Sequence, residues 1–337
     1  MGSHRRLATS GFDRGAGAAL CVMSAAATAL GVVPAKATPH DDTRTKVDRL
    51  YEEAEKATEA YNQADERADK LRDQVGRAQD RIARQQESIN TMRDALGSLA
   101  GAQYRSGGLD PSLALLLSDD PADYLDKAAR IARISAHQAG ELEALQDAMR
   151  VLAQDRAEAA KKLVELEKSR KAVATHKRTV ERKLAQARRL LNTLTASDRA
   201  AYGRASRSGR DVMPDFGSAL PPSGRAAAAL AAAHSALGKP YVWGANGPSG
   251  FDCSGLIQWS YAQAGVAMPR TSQGQRYAGR QVPLSEAQPG DVVTYRSDAS
   301  HVGMYVGNGQ VIHAPYPGAP VRYDPVGMMP GATVTRV

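Results

Sequence analysis

From Val47 to Leu99 apolar and small residues recur at alternating steps of three and four: Val47, Leu50, Ala54, Ala57, Tyr61, Ala64, Ala68, Leu71, Val75, Ala78, Ile82, Ile89, Met92, Leu96 and Leu99. Gln85 fills the one missing position. A seven-residue repeat sustained this long marks a coiled-coil seam rather than a helix lying on a globular core. At about 1.5 Å per residue it predicts a rod of roughly 80 Å. A second seam runs Leu142, Leu145, Met149, Leu152, Arg156, Ala159, Leu163, Leu166, Arg170, Val173, Lys177, Val180, Leu184, Ala187, Leu191 and Leu194. Ala128, Ile131 and Ser135 carry its spacing back toward Leu125. Arg156, Arg170 and Lys177 stand where apolar side chains would stabilise more, and such breaks fix register or partner at a cost in stability. Two helices of comparable length with a compact connector predict an antiparallel hairpin within one chain, leaving the oligomeric state open.

The connector carries a turn signal at Tyr104–Pro111, the short apolar run Leu113–Leu117, and a helix start at Ser118-Asp119-Asp120-Pro121. The apolar run is too short to cross a bilayer and predicts a small lobe near residues 104–125 packed on the coiled coil, or else a partner-docking or self-inhibitory surface. Residues 41–197 thus read as a coiled-coil domain. Residues 198–224, with Ser206-Arg207-Ser208-Gly209 and Pro221-Pro222, read as a linker. Residues 225–337 read as a second, globular domain, which begins with an alanine-rich helix ending at Gly238-Lys239-Pro240.

Residues 1–37 read as an export signal, the alternative being a retained apolar membrane anchor. Arg5, Arg6 and Arg14 precede a weakly apolar run without acidic residues, and Ala35-Lys36-Ala37 is a small-x-small cleavage site. The expected location is therefore outside the cytoplasmic membrane. A net charge of +8 suits contact with a polyanion. With no zinc finger, helix-turn-helix or aromatic-basic interleaving, nucleic acid is the weakest candidate partner and none is expected.

Only two cysteines occur, and Cys21 lies in the segment expected to be removed. Cys253 is then the single thiol. A Gly/Pro-rich approach and the helical spacing of Leu256, Ile257, Trp259 and Tyr261 place it in the first turn of a helix, where free N–H groups and the helix dipole favour a thiolate. Downstream, His301–Val306, the turn Gly307-Asn308-Gly309 and Gln310–Ala314 predict a β-hairpin with His301 at its start and His313 near its end. A nucleophilic thiol needs a base, and the base needs a group that holds its tautomer. His301 fits the first role and His313 the second. One Cys and two His would leave zinc without a structural fourth ligand, so neither metal nor cofactor is expected.

Tyr241-Val242-Trp243-Gly244, Asp252-Cys253-Ser254-Gly255, Pro289-Gly290-Asp291, His301–Gly307 and Ile312-His313-Ala314 resemble, in order and spacing, the signatures of the NlpC/P60 family of cell-wall cysteine peptidases. The resemblance implies an α+β, papain-like domain, helices packed on an antiparallel sheet, preceded here by the α-helical coiled-coil hairpin. It implies hydrolysis of the D-γ-glutamyl–diamino acid amide in peptidoglycan stem peptides, with Cys253 as nucleophile, His301 as base and His313 as orienter. It places the Tyr241 hydroxyl over the cysteine, Asp252 and Ser254 at the free amine of the stem peptide's first L-alanine, and Ser272 along the same subsite. Residues 41–197 are similar to coiled-coil regions of secreted peptidoglycan hydrolases, including actinobacterial ones. In some relatives such a region masks the peptidase until a partner or a cut releases it, so a membrane or division-machinery protein is an implied partner. Three other readings use the same residues: a coiled-coil adaptor whose peptidase is idle or partner-activated, an acyltransferase, and a lytic toxin directed against other cells.

Overall fold

The computed structural model describes residues 39–105, 121–205 and 221–337. The expected export signal, the apolar run of the connector and the middle of the expected linker lie outside the described residues.

Helix α1 spans Pro39–Arg105 and α2 spans Pro121–Thr193. Each begins with its only proline, in the first turn where a missing N–H costs nothing, and neither meets another helix breaker strong enough to stop it. They run antiparallel. Glu53 pairs with Lys183, Arg67 with Glu165 (3.1 Å), Gln86 with Arg156 (2.8 Å), and Arg93 with the Met149 sulfur (3.6 Å). Arg156, one of the polar breaks in the seam, therefore spends its charge on a cross-helix hydrogen bond. Exposed pairs of this kind contribute about 0–1 kcal/mol each. The apolar stripe carries the pairing, most densely where Val47, Tyr51, Ala54 and Ala57 meet Val180, Leu184 and Ala187.

The seam of α2 is not buried along its whole length. Leu142, Met149 and Leu163, all expected to face the partner, are 44–50% exposed. A two-helix pair buries one narrow stripe, and a straight helix drifts about 20° per heptad from that stripe. A short helix, α3 (Ala196–Ala205), follows within the stretch expected to be linker.

The C-terminal domain opens with α4 (Gly224–Ser235), whose N-cap Ser223 accepts from Ala226 N, and continues with α5 (Cys253–Gln263) and the single turn α6 (Ser272–Gln275). Six strands follow: β1 (Arg280–Val282), β2 (Val292–Tyr295), β3 (His301–Gly307), β4 (Gln310–His313), β5 (Arg322–Pro325) and β6 (Thr333–Arg336). They form one antiparallel sheet in the order β1-β6-β2-β3-β4-β5. Side chains alternate between its faces. Val292, Val302, Met304, Val306 and Ile312 pack beneath α4 and α5, while Val293, Tyr295, Val311 and Val334 form a second core on the opposite face. His301 lies opposite Tyr295, and His313 opposite Arg322. Gly303 lies between the histidines, and a Cβ there would come within 3.1 Å of the His313 Cβ. The missing side chain is what lets the two rings meet.

Candidate active site

Asp252 caps α5, its Oδ1 accepting from Gly255 N at 2.6 Å. Gly255 has no alternative at this position, because a Cβ would strike the Ala245 carbonyl. The Asp252 side chain is fully buried, and both of its oxygens are engaged. Arg270 binds them bidentately at 3.0 and 2.7 Å, and Oδ2 also accepts from Gly244 N (3.0 Å) and Asn62 Nδ2 (3.1 Å). Asn62 belongs to α1, so the hairpin reaches the first turn of the cysteine helix.

Glu59, one turn earlier on α1, reaches further. Its Oε1 accepts from the Ser254 hydroxyl at 2.7 Å and from the Cys253 thiol at 3.7 Å, and its Oε2 accepts from Ser272 N at 2.8 Å. Ser254 and Ser272, expected along one subsite, thus converge with the expected nucleophile Cys253 on a single carboxylate. Burial, then the neighbouring Asp252 charge, push the Glu59 carboxyl up to about 7 despite these hydrogen bonds. The expected thiolate is not favoured in this arrangement. Burial, then the charges of Glu59, Asp252 and Glu55, push the Cys253 thiol well above its ordinary value, against a hydrogen bond from Ser254 N. The helix terminus is outweighed by three carboxylates and the loss of water.

The two histidines are joined. His301 Nε2 lies 2.8 Å from His313 Nδ1, with the rings nearly perpendicular at 87°. His301 Nδ1 has no hydrogen-bond partner and faces Glu55 Oε1 of α1 at 3.5 Å. The thiol-to-His301 bond expected from the sequence is not made: Cys253 donates to Glu59 instead. Glu55 Oε2 accepts from Arg296 at 2.8 Å. Burial alone would raise the Glu55 carboxyl, but His301 and Arg296 outweigh it and hold it below the ordinary range.

Tyr241 is buried in the core cluster that contains Cys253. Burial first, then the charges of Cys253 and Asp252, hold its phenol well above the usual value, so it remains a donor. Around these contacts the hairpin seats itself with aromatic pairs. Tyr51 stacks on Tyr316 at 4.8 Å, and Tyr61 meets the edge of Trp243 at 5.3 Å. Tyr51, Glu55, Glu59 and Asn62 recur at steps of four and three and so share one face of α1. Sequence reasoning found none of these hairpin contacts, nor Arg270 or Arg296. The one available signal was the clustering of Glu52, Glu53, Glu55 and Glu59 beside the small residues Ala54, Ala57 and Thr58.

Residues 238–330 match the model of the NlpC/P60 family. The chain belongs to that family through its C-terminal domain, whose cysteine helix and antiparallel sheet have just been described. Over 99 residues it is 50% identical to a probable endopeptidase of Mycobacterium tuberculosis, covering 29% of this chain and 26% of that protein. Over 118 residues it is 44% identical to a probable endopeptidase of Corynebacterium glutamicum, covering 35% and 56% respectively. The solved NlpC/p60 domain of the peptidoglycan hydrolase SagA shares 38% identity and covers 33% of this chain and 98% of that one, with a TM-score of 0.31. The chain spans between about a quarter and a little over half the length of these two curated relatives. Among the described residues no helix is long and apolar enough to cross a membrane.

Proposed function

We propose that the chain is a peptidoglycan endopeptidase that cleaves the D-γ-glutamyl–diamino acid amide of stem peptides, and that its own hairpin holds it closed. Its place of work is the cell wall, outside the cytoplasmic membrane. The observation that carries the reading is that Glu59 engages Cys253, Ser254 and Ser272 together while Glu55 faces His301. One helix face fills the groups that a substrate has to use.

Once α1 withdraws, the Cys253 proton passes to His301 Nδ1 and the sulfur attacks the γ-glutamyl carbonyl carbon. The Cys253 backbone N–H and the Tyr241 hydroxyl hold the oxyanion. Collapse of the tetrahedral intermediate breaks the C–N bond, and His301 returns the proton to the leaving amine. His301 then takes a proton from water, whose oxygen attacks the thioester and releases the acid and the free thiol. Ser254, Ser272 and Asp252, freed of Glu59 and Asn62, line the subsite for the stem peptide's amino end.

The test is mass spectrometry of purified muropeptides incubated with three full-length proteins: wild type, Glu55→Ala/Glu59→Ala, and that double variant with Cys253→Ala. Cleavage by the double variant, lost with the cysteine, is the expected result, and the product masses identify the bond. Equal turnover by wild type and the double variant would remove the hairpin's inhibitory role. No turnover by either would remove the peptidase reading.

A further inference from the structure

His313 has two ring nitrogens, and the reading above uses only one. Nδ1 faces His301, while Nε2 lies 2.8 Å from Asp324 Oδ2 on β5. The same oxygen accepts from Arg322 Nε and Nη2, each at 2.7 Å. We infer that Asp324 is a positioning residue of the catalytic site, which fixes the tautomer of His313 and, through it, the nitrogen of His301 that serves the thiol. The inference rests on the Cys253–His301–His313 reading and adds a fourth member to it.

The argument is one of hydrogen-bond polarity. A neutral imidazole has one donor nitrogen and one acceptor nitrogen, whereas an ionised carboxylate only accepts. Burial would raise the Asp324 carboxyl, but the hydrogen bond from His313 and the hydrogen bond and charge of Arg322 outweigh it and hold it below its ordinary range. Burial pushes the His313 imidazole down to about 4, against the hydrogen bond of Asp324, so the ring is neutral near pH 7. Its single hydrogen must then sit on Nε2, facing Asp324, and its Nδ1 presents a lone pair to His301. His301 must carry hydrogen on Nε2 whether it holds one proton or two. Nδ1 is left as the position that exchanges a proton with Cys253.

Removing Asp324 reverses the chain. What then remains is the Arg322 guanidinium, opposite His313 in the sheet, which only donates. His313 Nε2 becomes an acceptor, its hydrogen moves to Nδ1, and His301 must accept at Nε2. A neutral His301 then carries its hydrogen on Nδ1, aimed at the thiol it should deprotonate.

The experiment uses the full-length chain labelled with 15N-histidine, with His313 assigned through His313→Gln, and reads ring protonation from long-range 1H–15N correlations. The wild type is expected to show His313 protonated at Nε2 and bare at Nδ1. Asp324→Ala is expected to exchange them, and Asp324→Asn, which keeps an acceptor oxygen, to retain the wild-type pattern. In the Glu55→Ala/Glu59→Ala background, Asp324→Ala should lower kcat about 10²-fold or more with KM within about threefold, and Asp324→Asn should recover most of the loss. A wild-type spectrum with His313 protonated at Nδ1 overturns the inference even if Asp324→Ala does not fold. So does an Asp324→Ala protein with unchanged spectrum and kcat. Lack of turnover in the background protein itself counts against the peptidase reading and leaves the spectroscopic result standing.

Discussion

Glu59 Oε1 lies 3.7 Å from the Cys253 sulfur and receives the hydrogen bond that a nucleophilic thiol would give to its base. A side chain from the helical hairpin, 194 residues away in sequence, thereby keeps the thiol protonated and covered.

The first prediction concerns that contact. Hydrogen bonds to a charged group contribute about 1.5–3 kcal/mol, and about 1.4 kcal/mol is a factor of ten. Glu59→Ala in the full-length chain is therefore expected to raise the rate of Cys253 alkylation by iodoacetamide about 10- to 100-fold. An unchanged rate would show that the hairpin does not guard the thiol.

The same carboxylate makes closure depend on pH. In the closed form the Glu59 carboxyl is raised from 4.5 to about 7, so closing takes up a proton. Its contribution to closure is complete below its ordinary value and is lost as pH rises through about 7. Glu55, held below 4.5, works in the opposite sense and weakens closure only in more acidic solution. Alkylation of wild type should thus climb more steeply between about pH 4.5 and 7 than that of Glu59→Gln, which has no proton to lose there. Parallel profiles would dismiss the linkage.

Arg270 is expected to matter to stability before it matters to chemistry. Its partner Asp252 is wholly buried, and the guanidinium is itself 12% exposed. Breaking such a pair leaves a buried charge unmatched, at a cost of about 3–5 kcal/mol. Urea unfolding of Arg270→Ala, followed by Trp243 and Trp259 fluorescence, should show a loss of that size. A loss below about 1 kcal/mol would mean that Asn62, Gly244 and Gly255 suffice to hold Asp252.

Tyr241→Phe isolates one donor. If the hydroxyl stabilises the oxyanion, kcat in the Glu55→Ala/Glu59→Ala background should fall about 10²-fold while KM stays near its starting value. A change confined to KM would assign Tyr241 to substrate binding instead.

Much of this architecture is legible in the residues. The heptad steps foretell α1 and α2, because a repeat of seven leaves a chain few ways to bury its stripe. The Gly/Pro approach places Cys253 at the head of α5, and Gly307-Asn308-Gly309 turns β3 into β4 so that His301 and His313 face each other. The strands β1, β5 and β6 carry no alternating run bounded by a hairpin turn to announce them; β6 and β5 take the free edges of β2 and β4, and β1 pairs in turn with β6. Asp324 escaped with them. Once β5 is known, the alternation Arg322-Tyr323-Asp324 places both charged residues on the His313 face. Glu55 and Glu59 were hidden for another reason: on a charged helix, a glutamate that will be buried by a distant domain has the same local pattern as one that stays in water.

The position of Glu55 and Glu59 along α1 has a mechanical consequence. At about 1.5 Å per residue, roughly 70 Å of unbroken helix separates Glu59 from Arg105. Braced by α2, that length is a lever whose short arm ends at the thiol. A wide, weak sweep at the far end arrives at the carboxylates as a small displacement with multiplied force, and a hydrogen bond is gone after about an ångström of stretch. If the hairpin holds the enzyme closed as proposed, it would act as a gear, trading distance at its tip for torque at Cys253.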